Sequence, residues 1–156
     1  MPAHYYGRVE IRRARPADGN AYLQLVHALA TYEKLEAPDP TSCQRLLQHA
    51  FGDDPRYDLW VATLEERVVA YAVTFETYST FRALPSLYLE DLFVHPDARR
   101  QGIGRSMLTT LRAHAEARGC GRFEWTVLDW NTDAQKLYSE IGATLLEEWR
   151  LCRLTL

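Results

Sequence analysis

The sequence predicts an α/β fold in which a mixed, mostly antiparallel sheet carries helices on both faces. Segments rich in β-branched and aromatic residues, typical of strands, alternate with segments whose apolar residues recur every three or four positions, typical of helices. Their order is β-α-α-β-β-β-α-β-α-β-β, so antiparallel strands come first and a single β-α-β unit adds a parallel pair. The 156 residues match the length of one domain, which we expect to span residues 1–156.

The first third of the chain is predicted to hold one strand and two helices. Residues 9–13 form a short strand, and Asp18 is placed to cap the N–H groups of the helix that follows. The expected buried face of that helix consists of Tyr22, Leu25, Val26, Leu29 and Ala30. After a proline-containing break, Thr41 or Ser42 is expected to cap a second helix that ends near Phe51.

Three strands are predicted in the middle of the chain. Residues 57–64 and 68–78 are joined by a short polar turn, and residues 86–94 form the next strand. Successive side chains of a strand point to opposite faces, so Glu90 and Asp91 are expected to face opposite ways unless a bulge intervenes. The two expected faces are Tyr88, Glu90, Leu92 and Val94 on one side and Leu87, Leu89, Asp91 and Phe93 on the other.

The last third begins with a long amphipathic helix, which the glycine-containing segment 119–121 ends. Its buried stripe is expected to comprise Ile103, Met107, Leu108, Leu111 and Ala115. A strand over residues 122–128, a helix over 131–141 and two final strands near 144–145 and 148–154 complete the predicted order.

Composition argues against several classes of function. The formal net charge is −3 and no helix is rich in lysine and arginine, so nucleic-acid binding is not expected. No run of about eighteen apolar residues occurs, which argues against a membrane span. The N-terminus lacks the apolar core of a secretory signal and the three cysteines form no close pair, as expected of a cytoplasmic protein. The five histidines lack metal-ligand spacing, so no catalytic metal is expected.

The segment Asp97-Ala98-Arg99-Arg100-Gln101-Gly102-Ile103-Gly104 connects a strand to a helix. Gly102 and Gly104 leave the first helical turn without bulky side chains, so backbone N–H groups and the helix dipole can bind an anion there. Flanking arginines can add positive charge. A phosphate or pyrophosphate is the expected ligand, since the features of a Walker loop and of a dinucleotide fingerprint are absent. The alternative is an ordinary glycine-containing turn with solvated arginines.

The pattern Arg-x-x-Gly-x-Gly at residues 99–104 follows directly on a strand that ends Leu92-Phe93-Val94-His95-Pro96. Together with the order of elements from the first strand to the last, this context resembles the acyl-CoA-binding motif of the GNAT superfamily of N-acetyltransferases. The resemblance implies a sheet in which two parallel strands splay apart.

Further motifs run through nearly the whole chain. They include Tyr32-Glu33-Lys34-Leu35-Glu36, Phe51-Gly52-Asp53-Asp54-Pro55-Arg56-Tyr57, residues 75–79 and 87–94, Asp129-Trp130-Asn131, Leu137-Tyr138 with Gly142-Ala143, and Trp149-Arg150-Leu151. They resemble the diamine and polyamine (spermidine/spermine, thialysine) N-acetyltransferases. That resemblance implies an enzyme that moves an acetyl group directly from acetyl-CoA to a small primary amine, such as a polyamine, a diamine or a thialysine- or lysine-like compound.

The resemblance also implies where acetyl-CoA binds. Its pantetheine arm is expected to lie along Leu92, Phe93 and Val94. Its pyrophosphate is expected over Arg99, Arg100, Gln101, Gly102, Ile103, Gly104 and Arg105. Asn131 and Tyr138 are expected to border the thioester, and a backbone N–H near Val94 to polarise the thioester carbonyl.

Two residues are expected to move protons. Tyr138, with tyrosine's ordinary pKa of about 10, suits protonation of a departing thiolate, and the resemblance places the general acid there. Glu90 is an acid on an otherwise apolar strand and suits deprotonation of the acceptor ammonium, directly or through a water. The alternatives are a core role for Tyr138 and a solvated or ion-paired acid at Glu90.

The acceptor, as a cation, is expected to meet carboxylates and aromatic faces. Candidates to bind it are Tyr32, Glu33, Glu36, Glu90, Asp91, Asp129, Trp130 and Trp149. For Glu33 and Glu36 the alternative is a solvated helix end. Ser139 and Glu140 stand where polyamine-acetylating relatives tend to carry basic residues, so a thialysine-, lysine- or diamino-acid-like acceptor stays open.

Two other functions stay open as well. One is a protein lysine acetyltransferase. The other is a non-catalytic acyl-CoA-binding module, which would need neither Tyr138 nor Glu90. The family resemblance further implies a homodimer in which exposed C-terminal strands pair or exchange.

Overall fold

The computed structural model of the protein describes residues 8–156. The chain forms two compact units, one that ends at Thr126 and one that runs from Val127 to Leu156. Among the described residues, no helix combines the length and the apolar character needed to cross a membrane.

The first unit is built on a five-stranded sheet whose strands lie in chain order. The strands are β1 (Val9–Arg13), β2 (Asp58–Leu64), β3 (Arg67–Ser79), β4 (Leu84–Val94) and β5 (Arg122–Trp125). β1 to β4 pair antiparallel, and β5 adds to β4 in parallel. The predicted mixed sheet is therefore confirmed, and the helical crossover between β4 and β5 is what permits its parallel pair.

Helices cover both faces of this sheet, as predicted. They are α1 (Gly19–Glu33), α2 (Pro40–Phe51) and α3 (Ile103–Ala117). In β2, Val61 packs in the core cluster with Tyr22 and Leu25 of α1. The adjacent Trp60 instead meets His114 of α3, with ring centroids 4.9 Å apart. Because adjacent residues of a strand point to opposite faces, α1 and α3 lie on opposite sides of the sheet.

The predicted apolar faces of the long helices are confirmed. In α1, Tyr22, Leu25 and Ala30 are buried, and Val26 and Leu29 pack partly buried against the same core. In α3 all five residues of the predicted stripe are buried: Ile103, Met107, Leu108, Leu111 and Ala115. Burial of these faces against the sheet is the main stabilising contribution to both helices.

The helix caps differ from those predicted. The Asp18 carboxylate accepts hydrogen bonds from both terminal nitrogens of Arg12 (2.7 and 3.0 Å) and from the N–H of Arg15 (2.7 Å), and it makes none to α1. A bidentate hydrogen bond from a charged guanidinium is stronger than one from a neutral N–H group, so the Asp18 carboxylate binds Arg12 and does not cap α1. α2 begins at Pro40, because proline is well suited to the first helical position. The residue before it, Asp39, is therefore the N-cap in place of Thr41 or Ser42, and its carboxylate accepts a hydrogen bond from the N–H of Ser42 at 2.7 Å.

The second unit contains one helix, α4 (Thr132–Glu140), and no strand. The final strands predicted near residues 144–145 and 148–154 are therefore wrong, and β5 ends at Trp125. A strand needs a neighbour to pair with its backbone N–H and C=O groups, whereas residues 144–156 are exposed throughout. A hydrogen bond from the N–H of Trp149 to the carbonyl of Leu146 (3.3 Å) forms a turn there instead.

Candidate active site

An open strand edge forms where β4 and β5 separate. Parallel pairing joins Ser86–Leu89 to Arg122–Trp125 and then stops, whereas pairing of β4 with β3 continues to Val94. Within residues 8–156, no strand covers the β5-facing edge of β4 beyond that point. The predicted splay is therefore confirmed. Residues 92–94, predicted to bind the cofactor, lie in this open stretch, where an extended ligand can add backbone hydrogen bonds.

A β-bulge at Glu90 changes which residues of β4 share a face. Val73 of β3 pairs with Asp91, but the next residue, Thr74, pairs with Leu89, so Glu90 is the extra residue. Cross-strand partners share a face, and therefore Leu89 and Asp91 lie on opposite faces. The regular alternation predicted for the whole strand is wrong here, because the extra residue shifts the pattern by one.

Asp91 lies on the α1 side of the sheet, because it pairs with Val73, which packs in the core cluster with α1. There the hydroxyl of Tyr71 donates a hydrogen bond to Asp91 Oδ2 at 3.0 Å. Burial raises the pKa of Asp91 from 3.8 to about 6; the Tyr71 hydrogen bond opposes that rise, and the charges of Glu90 and Glu33 add to it. A carboxyl group with a pKa near neutrality, partly open to solvent, is a candidate functional group.

Two of the predicted acids, Glu33 and Glu90, lie within electrostatic reach of a third, Asp91. Glu33 is the last residue of α1, and burial raises its pKa as well. Its charge acts on Asp91, as does that of Glu90, which is exposed at the bulge. Glu36, three residues beyond the helix, is exposed. The end of α1 and the bulge of β4 therefore concentrate the negative charge that a cationic acceptor requires.

Two aromatic residues, Tyr32 and Phe93, lie close to these acids in the sequence, and Arg99 contacts both of their rings. The Tyr32 ring packs on Phe93 with centroids 6.4 Å apart. The Arg99 guanidinium carbon lies 5.0 Å from the centroid of Tyr32 and 5.3 Å from that of Phe93, and its Nε donates to the Val94 carbonyl at 3.0 Å. These cation–π contacts hold Arg99 against the end of α1. Its contact with a phosphate stays a prediction.

The loop before α3 has a backbone shape suited to an anion. It follows a 3-10 turn over Pro96–Ala98 and contains two left-handed residues, Arg100 (φ 61°) and Gly102 (φ 76°). Gly102 precedes the first residue of α3 and offers no capping side chain, so N–H groups of the first turn are left for a ligand. A Cβ at Gly102 would meet no atom within 4 Å, which means that its φ, and not lack of space, calls for glycine.

The other residues of this loop differ in what they can offer a ligand. Ile103 is buried, so it can present only its backbone. Gln101 and Arg105 are exposed, and Gly104 is half-buried. The left-handed Arg100 has no counterpart in the sequence pattern, because non-glycine residues rarely adopt that conformation. It is a strained position of the kind found near ligands.

In the second unit, Asn131 begins α4. Its side-chain oxygen accepts a hydrogen bond from the N–H of Ala134 at 3.3 Å, so it acts as the N-cap. Gln135 Nε2 donates to the carbonyls of Leu128 and Asp129 at 3.1 and 3.0 Å and so holds the preceding loop against the helix. The structure therefore gives Asn131 a local structural role, and its contact with a cofactor stays a prediction.

The remaining predicted residues of this unit present side chains of different exposure. Tyr138 lies in α4 and is partly buried, and its carbonyl accepts the N–H of Ala143 at 2.9 Å. Trp130 is 47% and Trp149 74% exposed, and Asp129 is exposed. Their catalytic and acceptor-binding roles stay predictions.

Sequence analysis missed Tyr71 and the tyrosines behind it. Tyr71 lies on a segment predicted only as a strand, and its hydroxyl reaches Asp91 because the regular pairing of Tyr71 with Phe93 and of Val73 with Asp91 puts both residues on one face. The Tyr22 hydroxyl lies 3.0 Å from that of Tyr57. The only usable signal was the presence of polar tyrosines in a sheet core, since a buried hydroxyl requires a partner.

Comparison with known proteins gives one family. The model described as Acetyltransferase (GNAT) family matches residues 23–143. A thialysine N-epsilon-acetyltransferase from Bos taurus is 36% identical over 148 residues, which cover 90% of this chain and 86% of the relative. An L-ornithine N5-acetyltransferase from Arabidopsis thaliana is 42% identical over 88 residues, which cover 56% of this chain and 39% of the relative. The chain thus spans well under half the length of that second relative.

Solved structures share the same fold. An integron cassette protein from V. cholerae superimposes with a TM-score of 0.80 at 26% identity, over 94% of this chain and 92% of its own. A possible acetyltransferase from Clostridium difficile 630 gives a TM-score of 0.82 at 18% identity, over 95% of this chain and 97% of its own. At that identity the second likeness supports the fold alone.

Proposed function

The chain belongs to the GNAT family of acetyltransferases, and from this premise we propose that it transfers the acetyl group of acetyl-CoA to a small primary amine. Membership of this family makes the protein an N-acetyltransferase. What we propose beyond that is the identity of the acetyl donor and of the amine acceptor. One observation carries it: the open edge of β4 begins at the bulge where Glu90, Asp91 and Glu33 gather their charge. An extended acyl donor and a cationic acceptor would each find complementary groups there.

Acetyl-CoA fits the groups that the first unit offers. Its arm would pair with the backbone of residues 92–94, and its pyrophosphate would lie on the first turn of α3 next to Gly102, with Arg100 and Arg105 as cations. When bound, it supplies the thioester carbon that the amine attacks. The side chain of Arg99, held on Tyr32 and Phe93, would line the donor site and add its charge to that of Arg100 and Arg105.

The acceptor we propose is a diamine or a thialysine- or ornithine-like amino acid. The relatives named above act, by their names, on thialysine and L-ornithine, which both carry a primary amine on a short chain. Glu33 and Asp91 would hold the ammonium group, and the Tyr32 ring would contact the chain beside it. Asp129, Trp130 and Trp149 are further predicted contacts. A polyamine is the longer alternative of the same class.

Two protons must move for transfer to occur. The acceptor ammonium loses one, because only the free amine has a lone pair, and we propose that Glu90 accepts it directly or through a water. The departing thiolate gains one, which we propose comes from the hydroxyl of Tyr138. Both assignments rest on the family resemblance together with the chemistry of the two groups. The exposed position of Glu90 at the bulge leaves it accessible to water and substrate.

The test is release of thiol from acetyl-CoA with a panel of amines: thialysine, L-ornithine, L-lysine, putrescine and spermidine. We expect turnover with at least one of them, saturable in both substrates. Acetylation of protein lysines without turnover of any small amine would identify the protein-directed alternative. Binding of acetyl-CoA in a calorimeter without turnover of either class would identify a binding module. Either outcome would contradict the proposal.

We also propose that the protein acts as a cytoplasmic homodimer built on one catalytic domain. The described C-terminal segment supports a contact with a second copy, because it exposes several large apolar side chains. They are Leu145, Leu146, Trp149, Leu151, Leu154 and Leu156. Such a concentration of exposed apolar groups is typical of an interaction surface.

A further inference from the structure

The carboxylate of Asp91 has one tyrosine that is dedicated to it. Tyr71 is fully buried on β3, and its hydroxyl donates to Asp91 Oδ2 at 3.0 Å. Burial raises the pKa of Tyr71 far above its ordinary value, so the phenol keeps its proton and can only donate it to a hydrogen bond. The direction of this bond is therefore settled by chemistry.

The neighbouring tyrosines are engaged elsewhere. The Tyr22 ring meets the Tyr71 ring edge-on, with centroids 5.2 Å apart. The Tyr57 hydroxyl donates to the carbonyl of Leu46 at 2.7 Å, so in its 3.0 Å contact with Tyr22 it accepts, and Tyr22 donates. The second tyrosine pair thus fixes the ring that supports Tyr71 and does not share in the bond to Asp91.

The other groups that act on Asp91 oppose its ionisation. Burial does so most strongly, and the charges of Glu90 on β4 and Glu33 on α1 do so as well. The polarisable hydroxyls of Tyr22 and Tyr57 lie within electrostatic reach of the same carboxylate. Against these, the bond from Tyr71 favours the charged form, since a donor stabilises the anion more than the acid.

We propose that Tyr71 is a positioning residue that fixes the Asp91 carboxylate and keeps it ionised, so that it can bind the ammonium group of the acceptor. This role rests on the proposed function for its ligand. A protonated Asp91 would offer the ammonium no charge. An Asp91 side chain without a fixed rotamer would lose conformational entropy when the amine binds, which would weaken the affinity. Tyr71 therefore acts on the affinity for the amine, and it touches neither the amine nor the cofactor.

The experiment compares Tyr71→Phe with the wild-type protein over pH 5.5–9, with acetyl-CoA saturating and thialysine varied. Loss of one charge-assisted hydrogen bond is expected to raise the Asp91 midpoint by about one pH unit. The ratio of kcat/KM between variant and wild type should then fall about fivefold at pH 6 and return close to one above pH 8. The change should lie mainly in KM for the amine.

Tyr22→Phe is the matched control, because it removes a hydroxyl from the same core that does not bond to Asp91. Its kcat/KM ratio should change with pH much less than that of Tyr71→Phe, because the Tyr22 hydroxyl makes no hydrogen bond to Asp91. In an Asp91→Asn background, Tyr71→Phe should cause no further pH-dependent loss. An equal loss at every pH, or the same profile for both tyrosine variants, would show that Tyr71 is only a packing residue and would overturn the proposal.

A second measurement separates this proposal from the proposed function. The 13Cγ resonance of Asp91, assigned by comparison with Asp91→Asn, is titrated in folded protein without and with thialysine. We expect a higher midpoint in Tyr71→Phe, and a midpoint that thialysine lowers in the wild type. Unchanged midpoints would overturn the role of Tyr71 even in an active enzyme. Absent thiol release with shifted midpoints would count against acetyl transfer to thialysine and leave the pairing of Tyr71 and Asp91 standing.

Discussion

Asp91 and Glu90 are adjacent acids that the bulge places in different surroundings. Glu90 is the unpaired extra residue and is exposed, whereas Asp91 packs on the α1 face and is bonded to Tyr71. Burial raises the pKa of Asp91 to about 6. A group of this kind is destabilising in its charged form, and proteins keep such groups where a substrate compensates for the lost hydration.

Asp91→Asn should therefore stabilise the protein at neutral pH while it removes the charge that we propose binds the acceptor. The folded state holds the Asp91 proton more tightly than the unfolded chain, so stability falls as pH rises from about 4 through about 6. Replacing the carboxyl by an amide removes that loss, and the free energy of unfolding should rise by about 3 kcal/mol at pH 7.5. Urea unfolding at pH 4 and pH 7.5 checks this. Equal effects at the two pH values would contradict it.

Tyr138→Phe should lower kcat about a hundredfold and leave KM for both substrates within about threefold. The reason is that a general acid acts on the leaving group in the transition state and contributes little to binding. Steady-state thiol release measures the effect. Tyr78→Phe is the control, since Tyr78 is a 65% exposed tyrosine on β3 outside the proposed site. A Tyr138→Phe variant with wild-type kcat would refute the acid role.

At the scale of elements, periodicity predicted most of the fold. The apolar repeats of α1 and α3 have the spacing of their helices, and all five predicted stripe residues of α3 are buried. The position of the hairpin turn between β2 and β3 was predicted correctly. Its two central residues, Glu65 (φ 51°) and Glu66 (φ 68°), are left-handed although neither is a glycine. Local pattern suffices where one side of an element must be buried.

The bulge at Glu90 could not be predicted from the pattern of apolar residues in β4 alone. It depends on how β4 pairs with β3, and pairing register is a property of two strands. The same limit explains the missed bond from Tyr71 to Asp91. It also explains the two false strands after residue 142, since apolar alternation there predicts a strand without supplying a partner to pair with. The splay, in contrast, was expected through the family resemblance and not from spacing.

Gly102→Ala tests the loop before α3. An alanine at φ 76° costs about 1 kcal/mol of stability, and the strain should distort the first-turn N–H groups and raise KM for acetyl-CoA severalfold. Gly119→Ala is a close match, with φ 75° and likewise no atom within 4 Å of the added Cβ. It should lose similar stability and keep the wild-type KM. Equal KM values in the two variants would show that the loop does not bind the donor.

At the scale of the whole molecule, the two compact units carry different predicted parts of the chemistry. The first holds the open strand edge, the loop before α3 and the acids around Asp91. The second holds Asn131, Tyr138 and two exposed tryptophans. The roles of these residues are expected from a family resemblance that covers both units, and the match to residues 23–143 includes parts of both.

The exposed apolar segment at the C-terminal end predicts self-association. We expect light scattering coupled to gel filtration to give twice the mass of the 18.0 kDa chain. Leu151→Asp combined with Leu154→Asp should lower the mass toward one chain, because charged groups oppose burial of that surface. Phe81→Ser, which changes a fully exposed ring in the turn between β3 and β4, should leave the mass unaltered. A monomeric wild-type protein would contradict the homodimer.

The activity that we propose for this protein is acetyl transfer to the side-chain amine of a small molecule. Incubation of the protein with acetyl-CoA labelled with 13C in the acetyl group and with thialysine, followed by mass spectrometry and NMR of the small-molecule fraction, tests it most directly. We expect one labelled acetyl group in amide linkage to the side-chain nitrogen for each thiol released. Label found only as free acetate or on protein lysines, with thialysine recovered unchanged, would contradict it.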